Sequence, residues 1–211
     1  MPGFTHKSVE DYINNLLPPR DRVLASMEEL AKKDGVPIVG PAIGRLLYQL
    51  AKMVDARRIF ELGSAIGYST IWWARALPPD GKVYYTDGSR ANAQKAERYI
   101  RDAGLIDRVE ILIGDALESF DRVEGEFDIV FNDVDKHDYP RVFEKAAGRV
   151  RIGGLLVADN VLWSARVADV SVNDENTAAI RRFNEMLMSD PRYDSSIIPM
   201  RDGIGIGRRI R

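Results

Sequence analysis

Acidic residues stand at the ends of five apolar runs in this chain, and their positions point to a binding site. The acids are Glu61, Asp87, Asp115, Asp133 and Asp159, and helix-like stretches separate the runs. In open α/β sheets, ligands bind just beyond the carboxyl ends of the parallel strands. If the runs are neighbouring strands, their carboxylates converge on one crevice. A hydrophobic core gains nothing from that arrangement, so the pattern predicts a functional site.

The segment ELGSAIGYS, from Glu61 to Ser69, follows the first run and opens a helix-like stretch. Glycine allows a tight turn and a close approach of the backbone to a ligand. The spacing GxxxG differs from the GxGxxG of dinucleotide-binding turns, and the segment lacks the Lys-Ser/Thr ending of a phosphate-binding loop. The turn therefore favours a nucleoside ligand without a pyrophosphate.

Two further acids could complete a nucleoside site. Asp87, at the end of the second run, is placed to hold ribose hydroxyls. Asp115, in the segment Gly114-Asp115-Ala116, could meet an adenine amino group. These observations predict S-adenosylmethionine as the ligand. The alternative is that the acids only cap the helices that follow them, because aspartate is common near helix N-termini.

The last two runs end in a different set of oxygen atoms. Asp133, Asp159 and Asn160 offer two carboxylates and one amide oxygen, which suits Mg²⁺, Mn²⁺ or Ca²⁺. Zinc fits poorly, because the chain has two histidines and no cysteine. Two carboxylates held close together would repel, and one would tend to stay protonated. A divalent cation would resolve that conflict.

Residues just after Asp133 could take part in the chemistry. Lys136 could act as a general base if burial or nearby cations lower its pKa; otherwise it is a solvated lysine at a helix start. Asp135 could reach the cofactor or the surroundings of the metal, or cap the next helix. Trp163 could form a wall for a planar substrate or belong to the core.

The elements that position these residues can be read from hydrophobic periodicity. Residues 8–55 have helical spacing, and a β–α alternation follows. The predicted strands lie near 58–62, 82–86, 108–113, 127–132 and 153–158, with helices over 91–103 and 174–189. Two more strands, 193–199 and 203–209, are joined by Arg201-Asp202-Gly203, a hairpin signal. We expect one domain, 1–211, with a helical extension over 1–55 and an α/β core over 56–211.

Composition excludes several classes of protein. The net charge is -2 over 211 residues, so no overall field favours nucleic acid or an anionic membrane. Without cysteine, the chain has no disulfide, thiolate zinc site or thiol nucleophile. The N-terminus MPGFTHKSVEDY lacks the apolar core of a signal peptide, and no apolar run approaches membrane-spanning length. We therefore expect a cytoplasmic protein.

Taken together, the motifs resemble those of the cation-dependent class I O-methyltransferases, which include catechol and caffeoyl-CoA O-methyltransferases and small bacterial members. The matching segments run from about residue 35 to the C-terminus: ELGSAIGYS, the acid of VYYTD, AGLIDRVEILIGDALE, FDIVFNDVDKHDYP, GGLLVADNVLW, DPRY and PMRDG. The resemblance implies a Rossmann-like α/β fold with N-terminal helices. It also implies a seven-stranded, mostly parallel sheet that ends in an antiparallel hairpin.

The resemblance also implies roles for individual residues. It implies metal ligation by Asp133, Asp159 and Asn160, and a base-like catalytic role for Lys136 beside Asp133. It implies cofactor contacts from a larger set: Glu61, Gly63, Ser69, Asp87 and Ala116.

Three positions depart from the family pattern. Val39 falls where family members often have a hydroxyl residue, so only its backbone could contribute a hydrogen bond to the cofactor. Asn132 replaces a usually apolar residue, and Ser164-Ala165 replaces a glycine that many members have after the tryptophan. The last two departures leave metal binding intact and concern the shape of the substrate site.

The reaction implied is methyl transfer from S-adenosylmethionine to a hydroxyl of a catechol or phenol, leaving S-adenosylhomocysteine. Vicinal hydroxyls would chelate the cation, which lowers the pKa of the attacking hydroxyl. Lys136 would accept or relay the proton, and the oxygen would attack the sulfonium methyl in line. The resemblance further implies a homodimer.

Two other functions remain open on the sequence. Some bacterial relatives methylate a modified tRNA base, and Arg141, Arg149, Arg151 and the tail Arg208-Arg209-Ile210-Arg211 could contact phosphates; the alternative is a solvated surface. The chain could also bind S-adenosylmethionine without catalysis, although Lys136 and the three oxygen ligands argue against that.

Overall fold

The computed structural model describes residues 7–211 of the chain. Its strands are β1 (Arg58–Leu62), β2 (Lys82–Asp87), β3 (Val109–Ile113), β4 (Phe127–Asn132), β5 (Val150–Ala158), β6 (Tyr193–Ile198) and β7 (Ile204–Arg209). Its α-helices are α1 (Lys7–Leu16), α2 (Arg22–Asp34), α3 (Gly40–Met53), α4 (Tyr68–Ala76), α5 (Arg90–Asp102), α6 (Ala116–Arg122), α7 (Tyr139–Ala146) and α8 (Glu175–Ser189). Residues 1–6, which the expectations about the N-terminus include, lie outside the described residues.

The strands form a seven-stranded sheet in the order β3-β2-β1-β4-β5-β7-β6. β2 runs parallel to β1 and β3, and β4 runs parallel to β5. β7 is antiparallel to both β5 and β6. The predicted α/β class is therefore confirmed, with a mostly parallel sheet and an antiparallel C-terminal hairpin.

Internal contacts divide the described chain into two compact units. The N-terminal unit comprises residues 13–124, and the C-terminal unit comprises residues 125–211 with the segment 7–12. The assignment of 1–211 to a single domain stays a prediction. No helix within the described part of the chain is long and apolar enough to cross a membrane.

The N-terminal unit contains β1 to β3, which follow the hydrophobic pattern closely. Buried apolar side chains such as Ile59, Phe60 and Val83 hold the strands in the core. Helices α2 and α3 account for most of the predicted helical extension, and Pro41 lies in the first turn of α3, where proline is tolerated. Helix α2 begins where the Asp21 carboxylate accepts bonds from the amides of Val23 and Leu24.

The C-terminal unit contains β4 to β7 and packs α7 and α8 together through aromatic rings. The rings of Tyr139 and Phe143 meet Phe183 edge to face, at 5.3 and 6.1 Å between centroids. Helix α8 begins after Asp174, whose carboxylate accepts the Thr177 amide and caps the helix. The pairing of β4 with β5 places Asn132 opposite Ala158, so both strands end at the same edge.

Candidate active site

The first candidate region is the turn after β1 with the acids that end β2 and β3; we call residues 61–69, 87 and 115–116 the glycine-turn region. Gly63 and Gly67 have φ values of 81° and 83°, a conformation that favours glycine. The Gly63 amide donates to Thr86 Oγ1 at 3.2 Å, and the Ser64 amide donates to the Thr86 carbonyl at 2.9 Å. A Cβ on Gly67 would lie 3.0 Å from Ala96 Cβ. The turn is therefore fixed by its own chain before any ligand binds.

Glu61 and Ser69 lie inside this region and are buried. The Thr70 hydroxyl of α4 donates to Glu61 Oε2. This bond ties the end of β1 to the first turn of α4, on the far side of the glycine turn. The predicted placement of Glu61 at a strand end is confirmed, and its contact with a cofactor stays a prediction.

The other acids of the region are held by the backbone that follows them. Asp87 Oδ1 accepts from the Ser89 amide at 2.7 Å and from Asn92 Nδ2 at 3.2 Å. Asp115 is exposed and caps α6 by accepting the Glu118 amide at 2.8 Å. Asp115 is therefore a helix cap, as the alternative interpretation expected. It could still contact a ligand, because its second carboxylate oxygen can accept from another donor.

Parallel pairing brings these residues to one edge of the three-stranded part of the sheet. Asp87 pairs with Ile113, and the Gly114 amide donates to the Asp87 carbonyl at 3.0 Å. Ala116 is the first residue of α6. Val39, also predicted to meet the cofactor, is buried at the start of α3. Strand ends and helix starts at such an edge are where α/β sheets bind nucleotides.

The second candidate region contains the acids that end β4 and β5; we call residues 133–139 and 159–160 the paired-acid region. Lys136 Nζ lies 3.0 Å from Asp133 Oδ1, 3.2 Å from the Val134 carbonyl and 2.8 Å from Tyr139 Oη. Its side chain is 12% exposed. Lys136 is therefore a nearly buried member of the region and not a solvated lysine.

Tyr139 links the two halves of the paired-acid region, which the sequence analysis missed. Its fully buried hydroxyl donates to the Asp159 carbonyl at 2.7 Å and accepts from Lys136. Lys136 and Tyr139 are three residues apart, where side chains of a helical turn meet. That spacing is the only signal in the sequence for this contact.

Asp159 and Asn160 follow β5 directly. The Asp159 amide donates to the Asn132 carbonyl at 3.1 Å, which fixes Asp159 beside the end of β4. Asp159 Oδ1 accepts the Asn160 amide at 2.8 Å. Asn160 has a left-handed backbone with φ of 56°, so its side chain leaves the strand in a direction that an extended residue would not allow.

Burial and neighbouring charges shift the pKa values of the ionisable groups in this region. Burial, together with repulsion from Asp133, raises the pKa of Asp159 to about 7. Burial also raises the pKa of Asp133, although Lys136 opposes it. Burial by itself lowers the pKa of Lys136, but Tyr139 and Asp133 outweigh it and raise the pKa. A general base needs a lowered pKa, and the surrounding protein groups instead keep Lys136 protonated.

The donor atoms of Asp133, Asp159 and Asn160 fit a hard divalent cation. No group of three or more His, Cys, Asp or Glu that could hold a metal occurs within residues 7–211. The candidate set differs from such a group because its third ligand is an amide. Asp159 is buried and Asp133 is partly buried, and their raised pKa values favour a positive charge between them. All-oxygen ligands suit Mg²⁺, Mn²⁺ or Ca²⁺.

Other predicted residues lie at the margins of the paired-acid region. Asp135 is exposed and makes no side-chain cap on the short 3₁₀ turn Lys136–Asp138, so the capping alternative is wrong for it. Trp163 is half-buried, and its role as a wall of the substrate site stays a prediction.

The arginines considered for nucleic acid make contacts within the protein. Arg141 pairs with Asp138 at 2.7 Å, and Arg151 pairs with Asp128. Arg149 donates to the Gly125 carbonyl at 2.8 Å, and Arg209 lies 3.2 Å from Glu126. These ion pairs and hydrogen bonds engage the four side chains within the protein. The nucleic-acid alternative stays an untested prediction.

Comparisons with known proteins agree with this geometry. A family model described as O-methyltransferase matches residues 20–210. A catechol O-methyltransferase of Niastella koreensis is 36% identical over 92% of this chain and 90% of its own length. A caffeoyl-CoA O-methyltransferase of Eucalyptus gunnii is 33% identical over 80% of this chain and 72% of its own. Among solved structures, the O-methyltransferase TomG of Streptomyces achromogenes, involved in tomaymycin synthesis and in complex with SAM, has a TM-score of 0.88 at 33% identity, covering 97% of this chain and 96% of that one.

Proposed function

We propose, from the premise that this chain belongs to the O-methyltransferase family, that it transfers a methyl group from S-adenosylmethionine to a hydroxyl of a catechol-type or phenolic small molecule with the help of a divalent cation. The fold is the Rossmann-like fold of S-adenosylmethionine-dependent methyltransferases, and the prediction of an enzyme of this family is confirmed. The acceptor class, the cation and the residue roles are proposals. The observation that supports them most directly is the pairing of the partly buried Asp133 with the buried Asp159 through Lys136 and Tyr139.

The glycine-turn region supplies the proposed methyl-donor site. Gly63 brings its backbone close to the ligand, Asp87 holds the ribose hydroxyls, and Asp115 with Ala116 faces the adenine. Glu61, Ser69, Asp135 and the backbone of Val39 complete the proposed set of contacts. A prearranged turn avoids much of the entropy cost of ordering a loop on binding, and the bonds to Thr86 give this turn such an arrangement.

The paired-acid region supplies the proposed acceptor site. Asp133, Asp159 and Asn160 would hold the divalent cation, which supplies a positive charge that favours ionisation of the acceptor hydroxyl. Since the protein groups alone keep Lys136 protonated, Nζ would receive or relay the proton of that hydroxyl only after a positive charge held by the three ligands had lowered its pKa. Tyr139 keeps Lys136 in place and satisfies the Asp159 carbonyl.

Methyl transfer then needs only alignment. The acceptor oxygen forms a bond to the sulfonium methyl carbon, the carbon–sulfur bond breaks, and its electron pair stays on the sulfur of S-adenosylhomocysteine. No protein group bonds covalently to the methyl. Holding two reactants in line can supply roughly 7–11 kcal/mol of the barrier, so binding and orientation by the two regions account for much of the expected catalysis.

Transfer of a labelled methyl group tests the proposal. The acceptors are a catechol, a caffeoyl-type phenol and undermodified tRNA, each assayed with Mg²⁺ and with EDTA. We expect transfer to the catechol or phenol that EDTA abolishes. The variant Asp159→Ala should lose the activity, while Asp194→Ala, an exposed acid on β6, should keep it. Full activity in EDTA or in Asp159→Ala would exclude the cation mechanism, and transfer to tRNA alone would exclude the small-molecule acceptor.

A further inference from the structure

The chain that follows the candidate ligand Asn160 has a strained backbone. Asn160, Trp163, Ser164 and Ala165 have φ values of 56°, 48°, 53° and 64°. A left-handed backbone is unfavourable for a residue with a Cβ, because the Cβ comes too close to the following carbonyl oxygen. None of the four is glycine, so contacts elsewhere must hold the turn. We call residues 161–165 the strained turn.

Asp202 supplies contacts on both sides of Trp163. The Leu162 amide donates to the Asp202 carbonyl at 2.9 Å, and the Ser164 amide donates to Asp202 Oδ1. Asp202 is 4% exposed, so water cannot readily replace it as the acceptor. One residue therefore binds the strained turn through its backbone and its side chain.

The connection between β6 and β7 also contacts the strained turn directly. The Val161 amide donates to the Gly203 carbonyl at 3.1 Å. Gly203 has φ of 87°, and a Cβ there would lie 2.4 Å from Leu162 Cγ. Because the two segments touch without space for a side chain, a shift of Asp202 moves the strained turn with it.

Helix α8 adds a second anchor. Asn184 Nδ2 donates to the Val161 carbonyl at 2.7 Å. The peptide groups of residues 161, 162 and 164 are thus all bonded to other parts of the C-terminal unit. Asn160 directly precedes them, and its carbonyl accepts the Trp163 amide at 3.2 Å. The direction in which Asn160 leaves β5 therefore depends on how firmly the strained turn is held.

We infer that Asp202 is a positioning residue for the candidate cation site: it holds the strained turn, and through it the left-handed backbone that presents the Asn160 amide oxygen beside Asp133 and Asp159. The inference rests on the proposed function, because it assumes that these three residues bind a cation. A functional constellation must be held within about 0.5 Å of its productive geometry. Relaxation of Asn160 toward an ordinary backbone would rotate its side chain and remove one of three ligands.

The test measures Mn²⁺ binding to the full chain by electron paramagnetic resonance, without any turnover. Loss of groups that orient a metal ligand typically costs about 10–100-fold in metal affinity, and we expect that loss in Asp202→Ala. Asp202→Asn should restore most of the affinity, because its amide oxygen can accept the Ser164 amide. The matched control is Asp194→Ala, in the same hairpin, which should bind Mn²⁺ as the wild type does.

A second ligand separates positioning from general damage. The affinity for S-adenosylhomocysteine, measured by calorimetry, should be unchanged in Asp202→Ala, whereas a global defect would weaken both ligands. If Asp202→Ala does not fold, as judged by circular dichroism, Asn184→Ala decides, since it loosens the same turn from α8. Wild-type Mn²⁺ affinity in the folded variant overturns the inference but leaves the proposed function intact. Failure of the wild type to bind Mn²⁺ overturns the cation site itself.

Discussion

The glycine-turn region and the paired-acid region both end parallel strands in acids, yet different forces hold those acids. In the first, Asp87 and Asp115 accept backbone amides of the residues that follow them. In the second, Asp159 is buried and Asp133 is partly buried, and burial raises the pKa of each. Backbone amides satisfy the acids of the first region, while in the second the charges of Lys136 and Arg201 do not offset the effect of burial on the pKa values of the two acids. Under the proposed function, the contrast predicts a preformed donor site and an acceptor site that is completed by what it binds.

The largest effect should come from Lys136, since its nearly buried Nζ lies 3.0 Å from Asp133 Oδ1. Removing a group that transfers a proton typically costs 10²–10⁴-fold in rate, and we expect a loss of about that size in kcat for Lys136→Met. Labelled methyl transfer at saturating substrate measures it. Lys145→Met, on α7, should leave kcat unchanged.

Lys136→Arg then separates two roles of the lysine. Arginine keeps the positive charge but does not give up a proton in proteins. A loss equal to that of Lys136→Met supports proton transfer at Nζ, whereas wild-type activity in Lys136→Arg would reduce Lys136 to a fixed charge and contradict its role as a base.

Asp87→Ala tests the other side of the contrast. A hydrogen bond to a charged group is worth about 1.5–3 kcal/mol, so the affinity for S-adenosylhomocysteine should fall by roughly 10–150-fold. Mn²⁺ affinity should be unchanged, because Asp87 does not belong to the paired-acid region. Calorimetry with S-adenosylhomocysteine and with Mn²⁺ measures both affinities.

The exposed Asp102, at the end of α5, provides the matched control: Asp102→Ala should bind both ligands normally. If Asp87→Ala weakened Mn²⁺ binding as much as donor binding, the two regions would not be separable, and the contrast between them would fail.

The sequence predicts the first region better than the second, for a physical reason. The glycine turn and its acids depend on local backbone geometry, which the spacing of residues encodes. Tyr139 and Asp202 act through tertiary contacts, and Asp202 lies 38 residues from the amide that it holds. No local pattern specifies such a partner.

The start of β5 shows the same limit. The sequence predicts this strand over 153–158 from its apolar run. The strand begins at Val150, because its pairing with β4 continues across an irregularity between Phe127 and Ile129. A bulge of this kind depends on the partner strand and cannot be read from β5 alone.

The pH dependence of cation binding follows from the raised pKa of Asp159, which is about 7. Below that pH the carboxyl is protonated, and a cation must displace the proton to bind. Mn²⁺ affinity should therefore fall about tenfold for each pH unit below 7 and level off above it. Calorimetry at pH 6, 7 and 8 measures the trend, and buffers of different ionisation enthalpy reveal the released proton. A flat affinity from pH 6 to 8 would show that Asp159 is ionised without the cation.

Ala165→Gly should produce the smallest effect. The sign of its change in the free energy of unfolding should be opposite to that of the same substitution inside a helix. The glycine-turn region uses Gly63 and Gly67 at positive φ, but the strained turn has Ala165 at φ of 64°. Glycine removes a left-handed penalty of on the order of 1–2 kcal/mol and adds about 0.5–1 kcal/mol of chain entropy to be lost on folding. The free energy of unfolding, measured by urea denaturation, should rise by up to about 1.5 kcal/mol. The same change at the exposed Ala178 inside α8 should lower it by about 1 kcal/mol. A loss of stability at both positions would mean that the strained turn is not strained at Ala165, because only relief of a left-handed backbone gives the two substitutions opposite signs.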